Sequence, residues 1–250
     1  MARGLLEELG DFAKYKPMSN QFKKLLARLG GHLSDRTIHN LNATVNYLEA
    51  GRWIRKNGFR PERFFDRKEQ FWDLIGKEVG DRKVLYMEFG VWRGNTTRYV
   101  ATKLRHPDAM LHGFDSFQGL PEKWNLQADT GCFSTGGEIP RIDDARVEFH
   151  KGWFQETLPQ FRVPAHERVV VNLDADLYSS TIYVLNQLRE VLVPGAYLFF
   201  DEFSDRQHEL RAFDEFLTST AMKFRLLAAT ASFEKVLFLR EDDNLAPVSE

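Results

Sequence analysis

The run "RVVVNLDAD" at residues 168–176 limits the fold more than any other feature of the chain. It is nearly all apolar until its carboxyl end, where two aspartates appear. A strand of this kind has no face for water, so it belongs inside a sheet covered on both sides. The same pattern repeats from residue 67 onward. A helix at Lys68–Val79 leads into a strand at Val84–Phe89. Further strands are "MLHGFD", "RVEFHKG" and "AYLFFDEF", with helices at "SSTIYVLNQLREVLVPG" and "RQHELRAFDEFLTST". Strands alternating with helices form a parallel sheet with helices on both faces. The last two strands, "KFRLLAAT" and "FEKVLFLR", are joined only through Ala231 and Ser232. A parallel crossover needs about a dozen residues, so this pair is an antiparallel hairpin.

The expected fold is therefore α/β: a doubly wound, Rossmann-like, seven-stranded and mostly parallel sheet with a C-terminal antiparallel hairpin. Residues 1–66 read as a helical N-terminal cap or lid, and residues 67–250 as the main domain. Gly30 and Gly31 break the helical region. A helix capped by Ser34 or Asp35 follows, with Ile38, Leu41, Val45 and Leu48 as its apolar stripe.

A chain of 250 residues with formal net charge −2 carries no global positive field to hold nucleic acid. The N-terminal stretch lacks a signal peptide's apolar core, and the longest apolar runs are far too short to span a bilayer. The single cysteine, Cys132, excludes an intrachain disulfide and favours a reducing compartment. It sits in a Gly/Ser/Thr-rich loop with no base in local sequence, which argues against a catalytic thiol. The expectation is a cytoplasmic protein with no nucleic-acid or membrane partner. The helical N-terminus and abundant aromatics permit a homodimer without demanding one.

Open α/β sheets bind ligands beyond the carboxyl ends of their strands. There the chain places Glu88, Gly90 and Gly94 after the first strand, and Asp115 after the second. Gly152, Trp153 and Phe154 follow the third, Asp174 and Asp176 the fourth, and Asp201 and Glu202 the fifth. Burying so many carboxylates is costly unless each is paired or bound. No GK[ST] follows Gly94, so this is not a phosphate loop, and E-x-G-x-x-x-G is not the dinucleotide fingerprint. A carboxylate beside the turn suits a cationic ligand. Asp115 stands where a βαβ nucleoside site grips ribose hydroxyls, and Trp153 and Phe154 can sandwich an adenine. An adenosine with a cationic amino-acid tail is S-adenosylmethionine. An NAD-dependent oxidoreductase shares the first strand and Asp115, but lacks support from the glycines and the final hairpin. A non-catalytic cofactor-binding relative is a third reading.

The segments "MEFGVWRGNTTRYVA", "GFDSFQGLPEKW", "KGWFQETLP", "NLDADLYSST" and "VLVPGAYLFFDEF" resemble the class I S-adenosylmethionine-dependent methyltransferases. More narrowly, they resemble the macrocin O-methyltransferase family, which acts on sugar hydroxyls of antibiotics. The resemblance implies an O-methyltransferase acting on a hydroxylated small molecule, a sugar of a secondary metabolite among the candidates. It implies that Glu88, Gly90, Asn95 and Thr96 hold the cofactor's methionine end, that Asp115 with Ser116 holds the ribose, and that the Gly152–Phe154 stretch lines the adenine pocket. It also implies Mg2+ on Asp174, Asp201 and Glu202. The family generally has Asp-Asp where this chain has Asp201-Glu202, so a metal-free relative stands beside the magnesium reading. Asp174 and His208 are the candidate proton acceptors. His112 and His150 read as structural. Tyr178 either faces substrate or packs. The long polar insertion Asp129–Asp144 is expected to help cover substrate.

Overall fold

The computed structural model describes residues 18–126 and 128–242. The stretch 1–17, on which the expectation of no signal peptide rests, lies outside the described residues. The chain divides into two compact units, Met1–Asn42 and Ala43–Glu250. In the first, α1 (Asn20–Gly30) starts where Ser19 Oγ accepts the Phe22 N–H at 3.3 Å. Its Phe22, Leu25, Leu26 and Leu29 are exposed. Helix α2 (Asp35–Lys56) starts in this unit, with Ser34 Oγ accepting the Thr37 N–H at 3.2 Å, and runs on into the second. The expected stripe is not what this helix buries. Leu41, Val45 and Leu48 are exposed, Leu48 by 69%. Burial falls one turn later, on Ala50, Trp53 and Ile54. Helical spacing shows that a helix forms and leaves open which face meets a core.

The second unit is built on one sheet. Its strands are β1 (Arg63–Phe64), β2 (Val84–Phe89), β3 (Met110–Asp115), β4 (Val147–Lys151), β5 (Arg168–Leu173), β6 (Tyr197–Phe200), β7 (Phe224–Ala229) and β8 (Val236–Arg240). Their order across the sheet is β1-β7-β8-β6-β5-β2-β3-β4. The mostly parallel sheet and its antiparallel C-terminal pair are as the sequence indicated. The eighth strand is the two-residue β1, too short for any periodicity to signal. Strand β8 is antiparallel to both neighbours, β6 and β7.

Helices α3 (Lys68–Val79), α4 (Asn95–Ala101), α5 (Phe154–Thr157), α6 (Tyr178–Gln187) and α7 (Glu209–Thr220) connect the strands. Every residue of β2 is buried. Leu85, Met87 and Phe89 face one core with Val184 of α6 and Phe213 of α7, while Val84 and Tyr86 face the other with Phe71 and Trp72 of α3. Two cores against one strand explain why its sequence shows no polar alternation. The ring nitrogens of His112 and His150 lie 3.0 Å apart, and His150 stacks on Phe114.

From β2 the chain winds outward through β3 and β4 in one direction, and from β5 through β6 in the other. The topological switch point lies between β2 and β5, where a sheet of this kind opens a crevice at its carboxyl edge.

Candidate active site

Hydrogen bonding continues past the strand ends and fixes what lies there. Gly90 N–H donates to Phe114 O, Asp174 N–H to Phe89 O, Asp201 N–H to Leu173 O and Gly152 N–H to Asp115 O, at 2.9–3.1 Å. Asp115, Asp174 and Asp201 are thereby held along one edge of the sheet. They border a cavity of about 800 Å³. Of the expected cofactor residues, Glu88, Gly90, Asn95, Thr96, Asp115, Ser116, Gly152, Trp153 and Phe154 line it; Gly94 does not. Gly94 instead sits in a left-handed conformation as the cap of α4.

Glu88 is buried at the floor. It accepts hydrogen bonds from the Tyr86 hydroxyl at 3.1 Å and from the Thr97 hydroxyl, and Asn172 in turn donates to Tyr86 Oη. Burial pushes the Glu88 carboxyl up to about 8, against the pull of the Thr97 hydrogen bond. Asp115 meets the glycine turn directly. Its Oδ2 accepts from the Val91 and Trp92 N–H groups at 2.8 Å each, and its Oδ1 from the Phe117 N–H at 2.7 Å. Trp153 borders the cavity, while Phe154 packs its edge on Phe89 at 5.5 Å and belongs partly to the core.

The expected metal ligands Asp174, Asp201 and Glu202 all line the cavity. Lys68, at the start of α3, lies between the first two: Nζ is 2.8 Å from Asp174 Oδ2 and 2.9 Å from Asp201 Oδ1. Lys235 stands 3.5 Å from the same Asp201 oxygen. Ammonium groups already meet two of the three carboxylates that would bind the ion, Asp174 and Asp201, so these residues as they stand do not fit the magnesium site that the resemblance implied.

Nothing in the sequence pointed to Lys68, which reads as the polar start of a helix 106 residues from Asp174. Glu209 was also missed. It is fully buried in the first turn of α7, and its Oε2 accepts the Glu202 N–H at 3.0 Å. Burial holds its carboxyl well above the usual range. Asp176 and Glu202 are each pushed up to about 8, chiefly by burial.

His208 lies outside the lining of this cavity. Its Nδ1 accepts the Tyr178 N–H at 3.0 Å, and a nitrogen so engaged is not free to take a substrate proton. Tyr178 Oη donates to Glu215 at 2.6 Å, under the Arg211 guanidinium. The insertion Asp129–Asp144 is fastened to the stretch after β3: Thr135 and Gly137 N–H groups donate to Phe117 O, and Leu120 N–H to Cys132 O. Phe133 carries the insertion to the cavity wall and meets Trp92 edge-on.

A folded-state carboxyl near 8 against about 4 in the unfolded chain sets a definite pH dependence. Between those values the folded protein holds protons that the unfolded chain has released, so stability falls as pH rises. The contribution is complete below about pH 4 and is lost as pH passes about 8. The ligand-free protein should therefore melt at a higher temperature at pH 6 than at pH 9. A fully buried group such as Glu88 contributes up to about 1.4 kcal/mol per pH unit. Glu88→Gln should flatten that slope, and an unchanged slope would remove Glu88 as a source.

The fold is that of Rossmann-like O-methyltransferases. Among solved structures, the O-methyltransferase NovP superposes with TM-score 0.56 at 22% identity, over 70% of this chain and 80% of its own. The calicheamicin methyltransferase CalS11 gives 0.54 at 22% identity, over 69% and 77%. In sequence, residues 140–229 match the family model described as macrocin-O-methyltransferase. Relatives include the 8-demethyl-8-(2,3-dimethoxy-alpha-L-rhamnosyl)-tetracenomycin-C 4'-O-methyltransferase of Streptomyces olivaceus. It is 31% identical over 50% of this chain and 57% of its own length. The demethyldecarbamoylnovobiocin O-methyltransferase of Streptomyces niveus is 31% identical over 52% of this chain and 56% of its own. The matches thus span little more than half of either relative. No helix among the described residues is long and apolar enough to cross a membrane.

Proposed function

We propose that this chain is an S-adenosylmethionine-dependent O-methyltransferase acting on a hydroxyl of a small molecule, with natural-product sugars as the acceptor class. The observation that carries the reading is the convergence of Glu88, Gly90, Asp115 and Trp153 on one cavity at the switch point of the sheet. The names of the relatives, all O-methyltransferases of natural products, support the acceptor class.

The cavity suits the cofactor by its donor set. Glu88, buried and already bonded to two hydroxyls, is the carboxylate for an ammonium. Gly90 lets backbone approach without a side chain. Asp115 has one acceptor site, on Oδ1, left for a ribose hydroxyl beyond those its three backbone donors use, and Trp153 offers a face for adenine. When bound, S-adenosylmethionine supplies a methyl group on a positively charged sulfur. The chain itself must hold the acceptor oxygen in line and take its proton. Asp174 is placed to accept that proton, since it borders the cavity, and burial together with the Asp201 charge raises its carboxyl against the pull of Lys68. A base tuned upward in this way accepts a hydroxyl proton more readily. Asp176 and Glu202 sit beside it, and Phe133, Trp92 and Trp124 supply apolar wall for the acceptor.

The reading is tested by calorimetric titration with S-adenosylhomocysteine, with NAD as control. Binding of the first and silence of the second are expected. Because a cationic partner favours the ionised form of Glu88, binding near pH 7 should release protons, seen as an enthalpy that depends on the buffer. Absence of S-adenosylhomocysteine binding would overturn the reading. Stacking on an aromatic face is worth about 1–3 kcal/mol, so Trp153→Ala should weaken that binding by about tenfold. Unchanged affinity would place the adenine elsewhere.

A further inference from the structure

We infer that Lys68 is this protein's built-in replacement for a divalent cation: its ammonium occupies the space between Asp174 and Asp201, and the acidic centre works without metal. The inference deepens the methyltransferase reading, and its catalytic part rests on that reading.

Three observations carry it. First, one Nζ reaches both carboxylates, at 2.8 and 2.9 Å. A magnesium ion would need the same oxygens at about 2.1 Å in an octahedral shell, and could take them only by expelling the lysine. Second, the lysine is held in place. Its side chain is mostly buried, it starts a twelve-residue helix, and its charge lies over the Phe199 ring at 5.8 Å. Third, Asp201 is served from a second direction. Lys235 Nζ lies 3.5 Å from Asp201 Oδ1 and donates to the Asp201 carbonyl at 3.3 Å. Two fixed positive charges thus face the Asp174 and Asp201 carboxylates.

Lys68 also lines the cavity. An ammonium has three N–H donors: one is bonded to Asp174, and a second faces Asp201 Oδ1 in an ion pair at 2.9 Å. The third is available to an acceptor oxygen. In the transfer, that oxygen forms a bond to the methyl carbon while the carbon–sulfur bond breaks, its electron pair going to sulfur. The hydroxyl proton passes to Asp174. Lys68 would steady the negative charge that develops on the oxygen, as a divalent ion does in a metal-dependent enzyme.

The test is Mn2+ binding, read by the loss of the free-ion electron paramagnetic resonance signal. Wild type should show no Mn2+ site that Asp201→Asn removes. Lys68→Ala should gain one, binding at least tenfold more tightly than wild type, and Asp201→Asn in that background should abolish it. Lys68→Arg, which keeps the charge, should gain none, and this second variant keeps the comparison open if the alanine variant does not fold. A wild-type Mn2+ site that depends on Asp201 would overturn the inference. So would a folded Lys68→Ala protein that gains no site, since nothing there would then call for a cation. Titration with S-adenosylhomocysteine, with and without a chelator, separates the two levels. Equal binding in both supports metal independence. Binding that the chelator abolishes overturns it. Failure to bind in either condition overturns the methyltransferase reading and the catalytic role assigned to Lys68, whatever the Mn2+ result.

Discussion

Gly90→Ala should cost about 4 kcal/mol of stability and lower the melting temperature by about 8–16 °C, on the usual scaling for a chain of this size. Two effects add. Gly90 has φ of +94°, a conformation in which a side chain is strained by about 1–3 kcal/mol. A β-carbon there would also overlap the Asp174 carbonyl oxygen and press on its carbon at 2.8 Å. The Asp174 backbone has nowhere to retreat, because its N–H is bonded to Phe89 O at 2.9 Å. Overpacking against fixed backbone costs about 1–3 kcal/mol or more. Gly94 is the control. Its φ is +70°, but an added β-carbon would meet only the Pro140 ring, at 3.0 Å, and the end of the Ile142 side chain. Gly94→Ala should lose about 1–2 kcal/mol, the left-handed penalty, with the Pro140 ring shifting slightly to admit the new carbon. Urea denaturation of both variants decides the point: equal losses would mean that the first turn is not pressed against the end of β5.

That contrast bears on what the sequence could disclose. It told that Glu88, Gly90 and Gly94 mark a strand-to-helix turn, because glycine and a carboxylate at a strand end have local signatures. It could not tell that one glycine faces backbone across the sheet and the other caps a helix beside a loop, since the two contacts come from segments far along the chain. The same limit explains Lys68. Strand-end acids are legible because strands are legible, and their order follows from the alternation of elements. The cation that meets them comes from a helix before the first long strand, and no spacing rule connects residue 68 with residues 174 and 201. Glu209 was hidden for a related reason. A glutamate in a helix's first turn is ordinary by composition, and only the packing of α7 beneath the β6 end makes it a fully buried carboxyl. His208, its neighbour, is a titratable residue near the acids in sequence, yet its Nδ1 accepts the Tyr178 N–H. The sheet was legible where strands are long, and β1 was not, because two residues have no period.

Asp115→Ala should weaken S-adenosylhomocysteine binding by at least a hundredfold and destabilise the protein by about 3–5 kcal/mol, three charged hydrogen bonds being at stake. If Asp115 only held ribose hydroxyls, its loss would weaken ligand binding and leave the fold alone. Its contacts imply more. The carboxylate accepts from Val91, Trp92 and Phe117 N–H groups at 2.7–2.8 Å. Trp92 and Phe117 have φ of +51° and +58°, a region that side chains other than glycine seldom adopt. Strained residues persist only where their surroundings fix them, and here the fixing group is the carboxylate that both N–H groups meet. Hydrogen bonds to a charged group are worth about 1.5–3 kcal/mol each. Losing three of them and releasing two strained residues, partly relieved by water at the exposed Trp92, gives the range stated. Asp115→Asn separates the roles. Its amide oxygen can keep part of the backbone bonding, so most of the stability should return. Ligand binding should recover less, because an amide cannot both hold the turn and accept from ribose as a carboxylate does. An Asp115→Ala protein that melts with wild type would show that the two loops stand without Asp115. The carboxylate would then be a ligand contact alone.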